Sequence, residues 1–70
     1  MKRQSVESSN LASVGYDEVT QTLEVEFNHG GIYQYFEVQK EVYEELMNAD
    51  SQGKYFNGWI KDDYEYQRIK

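Results

Sequence analysis

Hydrophobic and polar residues alternate along the first half of the chain. Residues 22–27 have a strict period of two, which is typical of a β-strand with one buried face and one solvated face. Residues 11–16 predict a strand before it, and residues 17–21 a turn between the two. In the second strand the apolar positions are predicted to face the core and the acidic positions to face solvent: Leu23, Val25 and Phe27 inside, Glu24 and Glu26 outside.

A third strand is predicted over residues 32–38, after a hairpin turn at residues 28–31. The two glycines of this turn accept the positive φ that tight turns require. The strand itself is less regular, because its two tyrosines share one face while its aliphatic residues and Phe36 share the other. We favour packing of Tyr33 and Tyr35 beside the apolar side chains of the second strand, and a bulge or burial of both faces stays open.

The apolar period changes to that of a helix in the second half. Residues 39–49 carry one apolar stripe, and Val38 is predicted to pack against the first turn. Asp50 and Ser51 offer an N-cap for a second helix. Its apolar stripe contains Gly58, which lowers helix propensity by about 1 kcal/mol relative to alanine. The other members of that stripe are Tyr55, Phe56, Trp59 and Ile60.

These elements predict an α+β fold. A three-stranded antiparallel meander is expected, with residues 66–69 as an optional short fourth strand at the C-terminus, covered on one face by two short helices. Strands that precede helices in this way do not build a parallel sheet, so a doubly wound nucleotide site is not expected. The 70 residues are predicted to form a single domain over residues 1–70, with residues 1–5 as a flexible lead-in.

Composition and charge exclude several functions. Seven Lys and Arg against 13 Asp and Glu give a net charge of −6, which argues against a polybasic nucleic-acid arm and against an anionic membrane as partner. The absence of cysteine excludes a disulfide framework and a thiolate nucleophile. No apolar run exceeds two residues, so we predict no membrane span and no secretory signal. A cytoplasmic location and a monomer are the default expectations.

Side chains suited to catalysis or metal binding are few. His29 is the one histidine, and it is expected to be an exposed turn residue because a metal site needs three or four ligands. Ser8, Ser9 and Ser13 lack a base and are expected to bond backbone groups. The acidic residues are assigned to solvation rather than to a catalytic carboxylate pair. We therefore predict no enzymatic activity, no catalytic residues, no cofactor and no metal.

Residues 51–57 are the most informative segment for binding. In one interpretation they form a helix N-terminus where backbone N–H groups and Lys54 hold a phosphate oxygen. In the other, which we favour, they form a capped helix whose glycine allows close packing. The spacing is not that of a nucleotide-binding loop, so ATP or GTP binding is not expected. Asn57 is a candidate to bond the turn near residues 15–17.

Tyrosines supply a second candidate surface. Exposed rings beside a cationic groove would stack on the bases of single-stranded RNA. The favoured interpretation is that the rings fill the core with their hydroxyls at the rim, and a protein-binding patch is the third option. The tyrosines concerned are Tyr16, Tyr33, Tyr35, Tyr64 and Tyr66.

Several strings of residues stand in a specific order along the chain. They are Val14-Gly15-Tyr16-Asp17, Leu23-x-Val25-x-Phe27, Gly31-x-Tyr33-x-Tyr35, Gly53-Lys54-Tyr55-Phe56-Asn57 and Tyr64-x-Tyr66-x-Arg68-Ile69. Together they resemble the KTSC domain, which is named for its occurrence at the C-terminus of some lysyl-tRNA synthetases. The resemblance covers residues 6–69. The family commonly has Val-Pro before the first helix, where this chain has Val38-Gln39, and this loss of a preset φ affects stability more than fold.

The resemblance implies a small stand-alone or appended module without catalysis, and its synthetase context implies contact with RNA, tRNA in particular. Residues 51–70 carry a net charge of +1 and residues 1–3 carry +2, while residues 4–50 carry −9, so the cations for such contact must come from the C-terminal quarter and the first three residues. The alternative is a protein–protein interaction module that uses the tyrosine-rich surface and has no nucleic-acid role, which the overall charge favours. The candidate nucleic-acid-binding residues are Lys54, Asn57, Lys61, Tyr66 and Arg68.

Overall fold

The computed structural model describes residues 1–70 and shows a five-stranded sheet with a helical layer on one face. The strands are antiparallel and lie in sequence order: β1 (Gln4–Ser5), β2 (Leu11–Asp17), β3 (Thr22–Phe27), β4 (Ile32–Tyr35) and β5 (Tyr66–Arg68). The helices are α1 (Lys40–Asn48) and α2 (Gln52–Tyr55), and α2 continues into a π-helical turn (Phe56–Ile60). The α+β class is confirmed, but the sheet has five strands rather than three or four.

The additional strand comes from residues that we assigned to a flexible lead-in. Gln4 lies opposite Val14 of β2, and Ser5 lies opposite Ser13. Backbone pairing at a sheet edge needs no hydrophobic periodicity, so the polar sequence of residues 1–5 did not indicate it. At the opposite edge the optional C-terminal strand forms as β5 and pairs with β4.

The register between β3 and β4 confirms the predicted packing of the tyrosines. Tyr35 lies opposite Leu23, and Tyr33 lies opposite Val25. Residues directly opposite one another in an antiparallel pair share a face, so both tyrosines lie on the same side of the sheet as the apolar residues of β3.

The third strand ends earlier than predicted, at Tyr35 rather than Val38. Glu37 adopts a positive φ of 57°, which leaves the strand conformation, and Val38 then enters the core fully buried. The Tyr16 hydroxyl donates a hydrogen bond to the backbone oxygen of Val38. The first helix agrees with the prediction to within one residue at each end, and Leu46 is its buried side chain.

The core lies between the inner face of the sheet and the helical layer. Phe56 is central to it, because its ring meets the rings of both Phe27 and Tyr35 edge-on, with centroids 5.4 Å apart in each case. Nine buried residues form the core: Leu11, Val14, Leu23, Val25, Tyr35, Val38, Leu46, Phe56 and Ile60.

The predicted apolar stripe of the second helix is wrong at Trp59, which is 64% exposed. The backbone N–H of Lys61 donates to the carbonyl of Phe56 at 2.9 Å, the i to i+5 spacing of a π-helix. This wider turn keeps Phe56 and Ile60 in the core and carries Trp59 outward. The segment does not follow the period of an α-helix, and Gly58 was the one residue in the sequence that indicated this departure.

Glu24, predicted to face solvent, is only 5% exposed on the outer face of the sheet. The Arg3 guanidinium covers it and forms a hydrogen-bonded ion pair with it, and Gln34 Nε2 donates to it at 2.8 Å. Beside them Ser13 Oγ accepts from Arg3 Nε at 2.9 Å and donates to Glu26 at 2.8 Å. The alternation identified the outer face correctly, but the cover comes from residues distant in sequence.

This ion pair makes folding stability depend on acid pH. Burial raises the pKa of Glu24, but the hydrogen bonds from Gln34 and Arg3 and the charge of Arg3 outweigh burial and hold the pKa below its ordinary value of 4.5. The folded state therefore binds fewer protons than the unfolded state. The stability that Glu24 contributes is fully present above its unfolded pKa and is lost as pH falls through its lower, folded pKa.

We expect Glu24→Gln to lose less unfolding free energy than the wild type when the protein is acidified from neutral pH to below pH 4.5, measured by urea denaturation. Glu44→Gln is the matched control, because Glu44 is exposed on α1 and its carboxylate has no hydrogen-bond or ion-pair partner. The control should follow the wild type. An equally steep acid loss in Glu24→Gln would contradict the role assigned to the ion pair.

Candidate nucleic-acid interface

A surface groove of about 320 Å³ lies where the sheet meets the π-helical turn. The end of β3 and the inner faces of β4 and β5 form one side of it. The π-helical turn and the residues after it form the other side. Half of its lining is hydrophobic, and the lining residues are Asn10, Phe27, His29, Tyr33, Tyr35, Phe56, Asn57, Lys61, Asp62 and Tyr66.

Aromatic rings from neighbouring strands form one wall of the groove. Tyr66 of β5 leans against both tyrosines of β4, with its ring centroid 5.8 Å from that of Tyr33 and 5.6 Å from that of Tyr35. The side chain of Tyr66 is 58% exposed although its neighbour Tyr35 is buried. The groove therefore presents an accessible ring that packs against neighbouring rings.

His29 adds a polar aromatic ring at the end of the β3–β4 hairpin. Its ring stacks on Phe27 with centroids 5.5 Å apart and planes inclined by 5°. The backbone N–H of Gly31 donates to its Nδ1 at 3.2 Å, so the neutral imidazole carries its proton on Nε2. The prediction of an exposed turn residue is confirmed, and the same ring also contributes a free N–H donor to the groove.

Three of the five candidate residues line the groove, and a fourth, Arg68, lies over one of its rings. Asn57, Lys61 and Tyr66 line it. The guanidinium carbon of Arg68 lies 5.7 Å from the centroid of the Tyr33 ring, a cation–π distance, and its Nε donates to the backbone oxygen of the last residue at 3.0 Å. The groove thus has one cation in its lining, Lys61, and a second, Arg68, over one of its rings.

For residues 51–57, the predicted helix cap is confirmed and the predicted hydrogen bond of Asn57 is wrong. Ser51 caps α2 by accepting from the Lys54 N–H at 3.3 Å, and a Cβ at buried Gly53 would lie 3.3 Å from Ser8 Oγ. The capped helix with a close-packed glycine is confirmed. Lys54 is exposed and does not line the groove. Asn57 makes no hydrogen bond to residues 15–17, because the π-helical turn places it at the groove instead.

The five tyrosines proposed as one stacking surface are divided in the structure. Only Tyr33, Tyr35 and Tyr66 meet at the groove. Tyr16 lies on β2 across the sheet and stacks on Tyr43 of α1 with centroids 5.0 Å apart. Tyr64 packs against the core outside the groove.

A carboxylate faces the aromatic wall. Burial, helped by the charges of Tyr33, Tyr66 and Asp62, raises the pKa of Tyr35 to about 12. Tyr35 therefore stays protonated at neutral pH.

The candidate residues did not include Asp62, His29 or Asn10. The proximity of Asp62 to Lys61 and of His29 to Phe27 in the sequence could have indicated the first two, and no such signal exists for Asn10.

The structure holds no group of three or more His, Asp or Glu side chains placed to bind a metal ion. None of its helices has both the length and the hydrophobicity that crossing a bilayer requires.

Residues 7–64 match the model of the KTSC domain family. The chain belongs to this family. It is similar to an uncharacterized protein of Stutzerimonas stutzeri, with 49% identity over 70 residues that cover 99% of each chain. The crystal structure of a KTSC domain protein from Yersinia pestis superimposes on it with a TM-score of 0.96, at 38% identity, covering 99% of this chain and 97% of the other.

This KTSC domain is also similar to part of a lysine–tRNA ligase from a Nostoc species. The two are 44% identical over 63 residues, which make up 90% of this chain but only 11% of the ligase. The similarity is thus to one small segment of a much longer enzyme. It gives no ground for assigning the activity of the ligase to this chain.

Proposed function

We propose that this KTSC domain is a small, non-catalytic RNA-binding module that takes single-stranded nucleotides into the groove. The observation that carries the proposal is the exposed ring of Tyr66 in a groove that Lys61 also lines, with Arg68 over the neighbouring Tyr33 ring. Proteins that bind single-stranded RNA combine such stacking rings with cations that track the backbone. The similar segment in a lysine–tRNA ligase supports a role related to tRNA.

Because charge is unevenly distributed along the chain, RNA binding is compatible with a net charge of −6. Acidic residues dominate residues 4–50, whereas the groove draws its cations from residues 51–70, whose net charge is +1. Attraction of phosphate is then local, so we expect modest affinity that falls steeply with salt. Asn57 lines the same groove without a hydrogen-bond partner in the protein, and its amide is free to bond a base edge.

Charge reversal in the groove should weaken RNA binding. We expect Lys61→Glu and Arg68→Glu each to lower the affinity for labelled tRNA or short single-stranded RNA by about tenfold or more at low salt. Each lost phosphate contact should reduce the slope of log affinity against log salt by about 0.7. Fluorescence anisotropy over a series of salt concentrations measures both quantities.

Lys40→Glu is the matched control, because it makes the same change of charge at a residue outside the groove. Lys40 lies at the start of α1, and its Nζ is 3.7 Å from Glu18 Oε1. We expect this variant to weaken binding much less than either reversal at the groove. Absence of RNA binding by the wild-type protein at low salt would reject the proposal, and equal effects of all three reversals would reject the groove as the site.

Lys54 belongs to the proposed footprint as a peripheral contact. It is exposed on α2, one helical turn before Asn57. An RNA strand that extends from the groove along α2 would bring a phosphate close to the ammonium group of Lys54. Lys54→Glu should therefore weaken binding of longer RNA more than binding of short oligonucleotides.

A protein-interaction module is the second candidate, and the exposed ring of Trp59 favours it. This indole is 64% exposed, with its centroid 6.5 Å from that of Tyr55. Tryptophan and tyrosine are enriched at the energetic centres of protein interfaces. A partner protein that is retained after nuclease treatment and lost from Trp59→Ala would favour this function. A pull-down with nothing above background would count against it.

A further inference from the structure

The groove has the size and composition of a site that binds one flat chemical group rather than an extended stretch of ligand. Its volume of about 320 Å³ is at the lower end of the range of about 300–1,000 Å³ that small-ligand sites occupy. One wall is the accessible ring of Tyr66 on its packed neighbours, and His29 adds a ring with a free N–H donor. Rings of this kind stack on nucleobases regardless of sequence.

Two adjacent residues with opposite hydrogen-bonding character lie beside these rings. Lys61 and Asp62 both line the groove, and neither side chain has a hydrogen-bond or ion-pair partner within the protein. The ammonium group only donates hydrogen bonds, and the carboxylate only accepts them. Asp62 lines the groove together with the rings of Tyr35 and Tyr66.

We propose that the groove selects a single unstacked guanine through Asp62 and Lys61. The Watson–Crick edge of guanine offers two neighbouring donors, N1–H and the N2 amino group, which one carboxylate can accept together. Its O6 and N7 atoms accept from a lysine or arginine. Adenine and cytosine each present a ring nitrogen acceptor where the carboxylate needs a second donor, and uracil presents one donor between two carbonyl oxygens.

This inference rests on the proposed RNA-binding function and adds base selectivity to it. Asp62 would otherwise be unfavourable in an RNA site, because its charge repels phosphate. A carboxylate in the lining is therefore explained better by recognition of base donors than by attraction of the backbone.

The test compares short oligouridines that differ in one central nucleotide: guanosine, inosine, adenosine or uridine. We expect the guanosine RNA to bind the wild-type protein about fivefold or more tightly than the adenosine RNA, with inosine between them because it lacks the N2 amino group. In Asp62→Asn the preference for guanosine over adenosine should fall to about twofold or less, even if removal of a negative charge raises affinity for all four RNAs.

Asp63→Asn is the matched control, since it removes the same charge from the next residue, which is exposed and does not line the groove. It should keep the preference for guanosine. Equal binding of all four RNAs, or a preference that survives in Asp62→Asn, would overturn base selection while leaving RNA binding intact. Failure of every RNA to bind would reject both proposals.

Discussion

Replacing Phe56 with alanine should leave much of the protein unfolded at room temperature. The side chain is 2% exposed and its ring packs edge-on against two other core rings. Deletion of a buried phenylalanine costs about 3–5 kcal/mol. A domain of this size without disulfides or metal has a total stability of roughly 3–5 kcal/mol. Thermal unfolding followed by circular dichroism should show the transition lost or lowered by about 12 °C or more.

Trp59→Ala is the control for this prediction, because it removes an aromatic ring from the same π-helical turn. Trp59 is exposed, so its loss should change the free energy of unfolding by about 0.5 kcal/mol or less. The contrast tests which ring of the turn enters the core. If both variants were equally stable, the assignment of Phe56 to the core would be wrong.

Gly15→Ala should destabilise the protein by about 1–3 kcal/mol and displace the N-terminal strand. A Cβ at this position would lie 2.8 Å from the backbone oxygen of Lys2 and 3.0 Å from Arg3 Cγ. Because the first contact is with backbone, the chain just before β1 has to move, and we expect β1 to shift with it and Arg3 to leave Glu24. Urea unfolding measures the cost. Hydrogen exchange of the β1 and β2 amides should be faster, and the stability lost on acidification should become smaller, as in Glu24→Gln.

Gly58→Ala is the same substitution at a glycine where the added carbon would meet nothing within 4 Å beyond its chain neighbours and its own helix backbone. It should be neutral or stabilising by up to about 1 kcal/mol, because alanine is favoured over glycine in a helix. The account of β1 would be contradicted if Gly15→Ala were as stable as the wild type and kept its protection from exchange.

The sequence predicted the elements that are determined by the pattern of neighbouring residues. Strict alternation in β3 and the apolar stripe of α1 show, over a few residues, which positions face the core, so both elements and their inner faces were predicted. β1 forms by backbone pairing with β2, and the burial of Glu24 depends on Arg3, which lies 21 positions away in the sequence. The π-helical turn was missed for a different reason, because an i to i+5 spacing matches neither of the two periods used in the prediction.

The candidate site was predicted in part, and for a different reason from the fold. Lys61 and Arg68 were identified as sparse cations in an otherwise acidic chain, and the structure brings both to the groove edge. His29 and Asp62 were not included, because the groove joins a hairpin end to the residues after a helix that lies about 30 positions away. Neither periodicity nor charge along the chain indicates such a contact.

The groove as an RNA site is tested most directly by an NMR titration of the isotope-labelled protein with a short guanosine-containing oligouridine at low salt. The predicted result is a set of concentration-dependent amide shifts at the groove residues His29, Asn57, Lys61 and Tyr66, extending to Arg68, with little change at Lys40 or Trp59. The shifts should disappear as salt is added, since phosphate contacts release counterions. A spectrum unchanged by RNA, or shifts confined to α1 and Trp59, would contradict the groove as the binding site.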